Sequence, residues 1–237
     1  MKNISVVIPA FDEEKRLGGT LEKWREFLKI GKSQYKIIEI IVVDDGSKDK
    51  TAEIAESFEK VLPIKIIKLT KNRGKGRAVK EGVFAALGDI IFVYDADAAV
   101  LPEEIDKLFS WIDAVDIVIG SRIAPGAEAE LSFLRRVVGV CFHLFCLPLL
   151  PHIKDASCGA KLFDSAVAKK IFKSQKLERF AFDVEILLLA EKMNFKVKEI
   201  GLKWREAPGS KVKIIRDGIE MFFSVLTLYK YFFKKNL

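Results

Sequence analysis

The chain has 237 residues, half of them hydrophobic, which is enough to bury one large α/β core and too apolar for a disordered polypeptide. Its net charge of +7 suits an anionic partner, whether phosphate, nucleic acid or anionic lipid. Two histidines argue against a histidine-rich metal centre, so any metal is a hard ion held by oxygen. Three cysteines without a CxxC pair (Cys141, Cys146 and Cys158) argue for a reducing compartment rather than a disulfide framework.

Residues 4–8 are a short β-branched run ending at Pro9. No charged segment followed by an apolar one precedes it, so no signal peptide is expected. The spacing of Leu17, Leu21, Trp24 and Leu28 predicts a helix over 13–29. Residues 37–43 are nearly continuous apolar sequence, as in a strand covered on both faces, and end in Asp44-Asp45-Gly46-Ser47. The next helix carries Thr51, Ile54, Ala55, Phe58 and Leu62 as its stripe, with Ser47 or Asp49 as its cap. A third strand is predicted over 64–69. The basic segment 71–77 then leads into a helix reaching Leu87. A fourth strand, 90–94, ends in Asp95-Ala96-Asp97. Pro102 opens another helix, and a fifth strand, 117–120, ends at Ser121-Arg122. This alternation predicts right-handed crossovers and a mostly parallel sheet flanked by helices.

Beyond Arg122 the pattern changes. Residues 131–153 are apolar but interrupted by Arg135, Arg136, His143, Pro148 and Pro151, too often for a membrane span. Residues 214–237 read as an amphipathic helix rich in phenylalanine and tyrosine, with Lys230, Lys234 and Lys235. It either lies in a membrane interface or packs on its own domain or a partner chain. The expected organisation is an α/β domain over 1–212 followed by that helix over 213–237.

In an open α/β sheet, ligands gather at the carboxyl ends of strands. Pro9–Glu13, Asp44-Asp45, Asp95–Asp97 and Arg122 all fall there. Two carboxylates one residue apart, as in Asp95-Ala96-Asp97, repel by about 4 kcal/mol at 4 Å and an effective dielectric of 20. Mg²⁺ or Mn²⁺ removes that penalty, and a diphosphate completes its coordination shell. The same aspartates also suit simple helix caps. Ser47, Asp49 and Thr51 suit caps and turns, whereas a carboxylate at Asp44 suits a nucleobase or ribose. Asn72-Arg73-Gly74-Lys75-Gly76-Arg77 is either a solvated basic loop or a diphosphate-steering one. It lacks the P-loop spacing and the third glycine of a dinucleotide fold, so neither an ATPase nor an NAD enzyme is expected. In haloacid dehalogenase-type phosphotransferases, Asp-x-Asp follows the first core strand; here it follows the fourth. The basic residues sit beside carboxylates rather than in an aromatic-lined stripe, so no nucleic acid is expected.

Three segments together resemble the ordered motifs of family 2 glycosyltransferases: Val7-Ile8-Pro9-Ala10-Phe11-Asp12-Glu13-Glu14, Val42-Val43-Asp44-Asp45-Gly46-Ser47 and Asp95-Ala96-Asp97. Further motifs are similar to the polyprenyl (dolichyl) phosphate sugar synthases, and more to their β-glucosyltransferase branch than to the mannose branch. They are Gly120-Ser121-Arg122, Asp155-x-x-Cys158-Gly159-x-Lys161-Leu162-Phe163, Phe180-Ala181-Phe182-Asp183-Val184-Glu185 and Trp204-x-Glu206-x-x-Gly209-Ser210-Lys211. The chain departs from the pattern at Phe11, where tyrosine is usual, and at Asp12, where asparagine is usual. Ala99 stands where the mannose branch has a metal-contacting glutamine.

The resemblance implies a GT-A-type, Rossmann-like fold and a metal-dependent, inverting hexosyl transfer. The donor would be a nucleotide diphosphate-sugar, UDP-glucose foremost, and the acceptor a polyprenyl or dolichyl phosphate on the cytoplasmic face of a membrane. It implies that Pro9, Phe11, Glu13, Val42 and Asp44 hold the nucleoside. Asp95, Ala96 and Asp97 would bind diphosphate and metal. Arg122, Arg205 and Lys211 would meet the sugar-diphosphate or the acceptor phosphate, with Arg135 or Arg136 as a further acceptor contact. Asp183 either acts as a base or orients an arginine, and Glu185 is the other base candidate.

Overall fold

The computed structural model describes residues 1–31, 34–206 and 214–233, without the side chains of Arg135, 214–217 and 231–233. Its centre is a seven-stranded sheet in the order β3-β2-β1-β4-β7-β5-β8. β1 (Lys2–Ala10) lies between β2 (Tyr35–Asp44) and β4 (Ile90–Val93), parallel to both, and β3 (Ile64–Lys68) extends the sheet beyond β2. β5 (Ile117–Ser121) and β8 (Val197–Gly201) are parallel at the other side.

Between these halves runs β7 (Lys161–Asp164), antiparallel to both β4 and β5. It carries no apolar–polar alternation and begins on a lysine, so its sequence gives little strand signal. Asp164 leaves the sheet at once to cap the next helix, accepting from the amides of Ala166 and Val167 at 2.9 and 3.2 Å. A small second sheet pairs β6 (Glu128–Glu130) with β9 (Lys203–Arg205).

One face of the large sheet packs on α1 (Leu17–Ile30) and, after a single 3₁₀ turn at Pro102–Glu104, on α4 (Ile105–Phe109). The predicted stripe of α1 is buried at Leu17, Leu21 and Trp24. The helix starts at Leu17 rather than Glu13, because residues 13–16 form a turn with Arg16 N and Leu17 N both donating to Glu13 O. α2 (Thr51–Ser57) ends short of its predicted stripe, which continues to Leu62 as hydrogen-bonded turns. The opposite face is covered by α3 (Lys75–Ala85), α6 (Ser165–Ser174) and α7 (Phe182–Lys192).

α5 (Phe133–Cys146) and α8 (Ile214–Phe233) lean on that second layer. Val225 and Leu228 of α8 join its core, Phe145 stacks on Phe222 at 4.3 Å, and Tyr229 Oη donates to Phe145 O at 2.5 Å. Outward, α5 exposes Phe133, Leu134, Val140 and Leu144, and α8 exposes Ile219 and Phe223. α8 therefore packs on its own domain through one stripe and leaves another uncovered. Among the described residues, no helix is long and apolar enough to cross a membrane.

Candidate active site

The loop after β4 carries the acid pair and is pinned from several sides. Tyr94 stands edge-on to Trp24 in the core, with centroids 5.2 Å apart, and its hydroxyl donates to Val100 O. Thr20 Oγ1 donates to Ala96 O at 2.7 Å. Asp97 Oδ1 accepts from Ala99 N at 3.1 Å across Ala98, whose φ of +50° is a strained conformation for alanine. Asp97 Oδ2 lies 3.5 Å from Arg16 Nη1, and Asp95 Oδ1 lies 2.6 Å from Lys75 Nζ. Behind Asp95 passes Gly159, where a Cβ would fall 1.9 Å from Asp95 Oδ2, so only glycine lets this carboxylate keep its place.

The two acids differ in their electrostatics. Burial acts to raise both pKa values. At Asp95 the charges of Lys75, Lys161 and Arg122 prevail and hold the carboxyl below its ordinary value. At Asp97, burial and the neighbouring Asp95 charge push the carboxyl up, so the mutual repulsion expected of Asp-x-Asp is felt on this side of the pair. Burial opposes the Lys75 ammonium, yet the Asp95, Asp183 and Asp97 carboxylates raise its pKa above the usual lysine value.

The walls around this pair are braced by the polar residues that the sequence assigns to caps and turns. Ser47 Oγ accepts from Asp12 N (2.9 Å), Thr51 Oγ1 from Glu13 N (2.7 Å), and Asp49 Oδ2 from Glu14 N (3.1 Å). The loop after β2 thereby fixes the loop after β1. Asp45 turns the other way, its two oxygens accepting from Arg73 N (2.9 Å) and Gly74 N (2.7 Å). Gly74 has φ +112°, and a Cβ there would lie 2.6 Å from Glu178 O. The clamp sets the start of α3 and so delivers Lys75. Together these loops enclose a cleft of about 490 Å³. Its walls include Pro9, Phe11, Glu13, Lys75, the loop 95–97 and Arg179, and its volume falls within the range of small-ligand sites.

A basic cluster adjoins the acids. Lys161 opens β7 and is fully buried; its ammonium lies 2.6 Å from Asp183 Oδ1 and also donates to Cys158 O. Arg122 makes a fork-to-fork pair with Asp155, Nε–Oδ2 2.8 Å and Nη2–Oδ1 2.7 Å, and its guanidinium lies 5.7 Å from the Trp204 ring centroid. A second cleft, about 110 Å³, starts at this pair. Arg122, Arg136, His143 and Lys154 supply its polar side, and Leu131, Val140, Phe142 and Ile153 its apolar side.

Residues 5–172 match the family described as Glycosyl transferase family 2. The dolichyl-phosphate beta-glucosyltransferase of Dictyostelium discoideum is 38% identical over 232 residues, covering 92% of this chain and 71% of that protein. The Homo sapiens protein of the same name is 35% identical over 226 residues, covering 89% and 70%. The chain belongs to glycosyl transferase family 2. Its fold matches that of the Mycobacterium tuberculosis glucosyl-3-phosphoglycerate synthase solved with Mn²⁺, uridine diphosphate and glucosyl-3-phosphoglycerate. The TM-score is 0.69 at 17% identity, over 94% of this chain and 79% of that one. The architecture is thus the GT-A arrangement expected from the sequence.

In this glycosyltransferase, Pro9, Phe11, Glu13, Asp95, Ala96 and Asp97 share the larger cleft, and Arg122 and Arg136 share the smaller one. Val42 is fully buried in the core, and buried Asp44 accepts from Ser47 N at 3.0 Å; neither is among the residues lining the larger cleft. Arg205 is exposed on β9, 4.0 Å from Glu130. Lys211 and the Arg135 side chain lie outside the described residues. Asp183, expected either to act as a base or to orient an arginine, is paired with a lysine, Lys161. Glu185 accepts from Lys176 N and Leu177 N and braces the segment before α7. Sequence reasoning passed over Arg16, Lys161, Gly159 and Arg179 as individual actors. Only Gly159 and Lys161 carried a signal, as members of a family-like motif.

Proposed function

We propose that this glycosyltransferase moves glucose from UDP-glucose to a polyprenyl or dolichyl phosphate at a membrane surface, with inversion at the anomeric carbon. The observation carrying this reading is a pair of unlike clefts linked by charge, since Arg122 of one acts on Asp95 of the other. One is acid-floored and sized for a nucleotide-sugar. The other begins at Arg122 and pairs arginines with an apolar wall, as a lipid phosphate requires. The names of the curated relatives supply the sugar and the lipid.

In this reading Pro9, Phe11 and Glu13 take the nucleoside, and Asp44 orders the loop whose Ser47 braces Asp12. A divalent ion, Mg²⁺ or Mn²⁺, fits the acid pair: Asp97 is already strained by the Asp95 charge, and the site offers hard carboxylate oxygens. Among the described residues no three His, Cys, Asp or Glu side chains cluster to hold a metal by themselves; Asp95 and Asp97 would hold the ion together with the donor's diphosphate. When bound, the ion neutralises the leaving nucleoside diphosphate.

A phosphate monoester has a second pKa near 6, about one unit below neutral pH, so the acceptor arrives as a nucleophilic dianion and needs no general base. Its oxygen attacks the anomeric carbon, the bond from that carbon to the donor's β-phosphate oxygen breaks, and UDP leaves. Arg122 and Arg136 hold the acceptor, and Asp155 keeps the Arg122 fork aimed. Asp183 serves by fixing the Lys161 ammonium beside Asp95 rather than by taking a proton. Arg205 and Lys211 supply positive charge to the sugar-diphosphate or the acceptor phosphate.

The exposed apolar stripes of α5 and α8, with Arg136 and Lys230 nearby, form the membrane-facing surface on the cytoplasmic side. Incubation with polyprenyl phosphate, Mn²⁺ and a panel of labelled nucleotide-sugars should yield glucosyl-phospholipid from UDP-glucose. Equal transfer to the unphosphorylated polyprenol, or transfer of mannose alone, would overturn it.

A further inference from the structure

Lys75 occupies a position that the reading above does not explain. It is the first residue of α3, and its backbone is fixed by the Asp45 clamp and by Gly74. Its side chain is only 18% exposed and spans the cleft floor to place Nζ 2.6 Å from Asp95 Oδ1. Asp95 cannot retreat, because its other oxygen rests against Gly159. An ammonium is a compact point charge on a flexible four-carbon stem, and among side chains it is the nearest substitute for a metal ion. It is held here against one of the two carboxylates assigned to the metal.

We infer that Lys75 is a resident counter-cation that screens Asp95 until a diphosphate enters, and then moves its charge onto the phosphate and frees Asp95 for the divalent ion. The inference rests on the nucleotide-sugar and metal reading and adds a binding order to it. Without nucleotide, a divalent ion must displace an ammonium already paired with its ligand, and it also meets that positive charge at close range. With nucleotide present, the ammonium finds new phosphate partners along the same wall, since Lys75 lines the cleft. Metal and nucleotide binding are then positively coupled, and the coupling is reciprocal, so it is visible from either ligand.

The test needs no turnover. Mn²⁺ binding to the full chain is measured by electron paramagnetic resonance or calorimetry, with and without UDP, for the wild type, Lys75→Met and Lys75→Arg. Thermal melting establishes that each variant is folded. The wild type should bind Mn²⁺ weakly alone and far more tightly with UDP. Lys75→Met should bind Mn²⁺ about tenfold more tightly than wild type without UDP, the effect of removing roughly 1.4 kcal/mol of competition. It should bind metal-free UDP more weakly. Lys75→Arg, which keeps the charge, should stay as weak for Mn²⁺ as the wild type. Unchanged or weaker Mn²⁺ binding by Lys75→Met, beside tight Mn²⁺–UDP binding by the wild type, overturns the inference and leaves the metal reading standing. Equal wild-type affinity for Mn²⁺ with and without UDP overturns it without recourse to any variant. Failure of Mn²⁺ to bind any form even with UDP overturns both.

Discussion

At the level of single residues, the site depends on contacts too close to tolerate change. Gly159→Ala puts a methyl group where the Asp95 carboxylate now lies. The acid must swing away, and a misplacement of that order costs about 100-fold in rate. Steady-state kinetics should show this loss with the melting temperature nearly unchanged, since the shift is confined to a cleft wall. Asp97→Ala removes the acid whose carboxyl its neighbour pushes up, and should lower turnover by about 100-fold or more, with loss of metal dependence in a Mn²⁺ titration. Near-normal turnover in that variant would refute the metal assignment.

The Arg122–Asp155 pair makes a statement about stability as well as binding. Burial alone would raise the Asp155 pKa, but the guanidinium outweighs it and holds the carboxyl below the ordinary value. A folded-state pKa below the unfolded one stabilises the protein above the unfolded value, about 3.9, and this contribution fades as pH falls through the lower folded value. Urea midpoints followed from pH 7 to pH 3 should reveal that acid limb in the wild type and lose it in Asp155→Asn. At pH 7 the same substitution leaves a guanidinium without its fork and should cost about 3 kcal/mol or less, because Arg122 is partly open to solvent.

At the level of elements, what the sequence disclosed followed hydrophobic periodicity. The parallel strands β1 to β5 and the stripe of α1 were legible because long apolar runs and regular spacing leave few alternatives. β7 was not, since four residues opening on Lys161 and closing on a cap at Asp164 carry no period. The acid pair, Pro9–Glu13 and Arg122 could be placed at one sheet edge from topology alone. Their counter-ions could not. Arg16, Lys75 and Lys161 meet the acids only through a helix start, a clamped loop and an antiparallel strand, and each lies far from Asp95 in the chain.

α8 has a double character that separates two experiments. Deleting it removes Val225 and Leu228 from the core, so the deletion confuses folding with docking. Ile219→Glu with Phe223→Glu alters only the exposed stripe. That pair should abolish co-sedimentation with anionic liposomes while leaving the melting temperature within about 2 °C, the ordinary range for surface changes. Continued sedimentation would show that the membrane surface lies elsewhere.

For the whole molecule, β7 has a geometric consequence. It separates the strand leading to Asp95 from the strand leading to Arg122, and adjacent strands stand about 4.8 Å apart, so the interval is roughly 10 Å. Backbone hydrogen bonds fix that interval, and side-chain rearrangement cannot close it. The fold thereby sets the spacing between the acid loop and the Arg122 fork in its backbone, leaving the side chains to supply charge rather than to find the range.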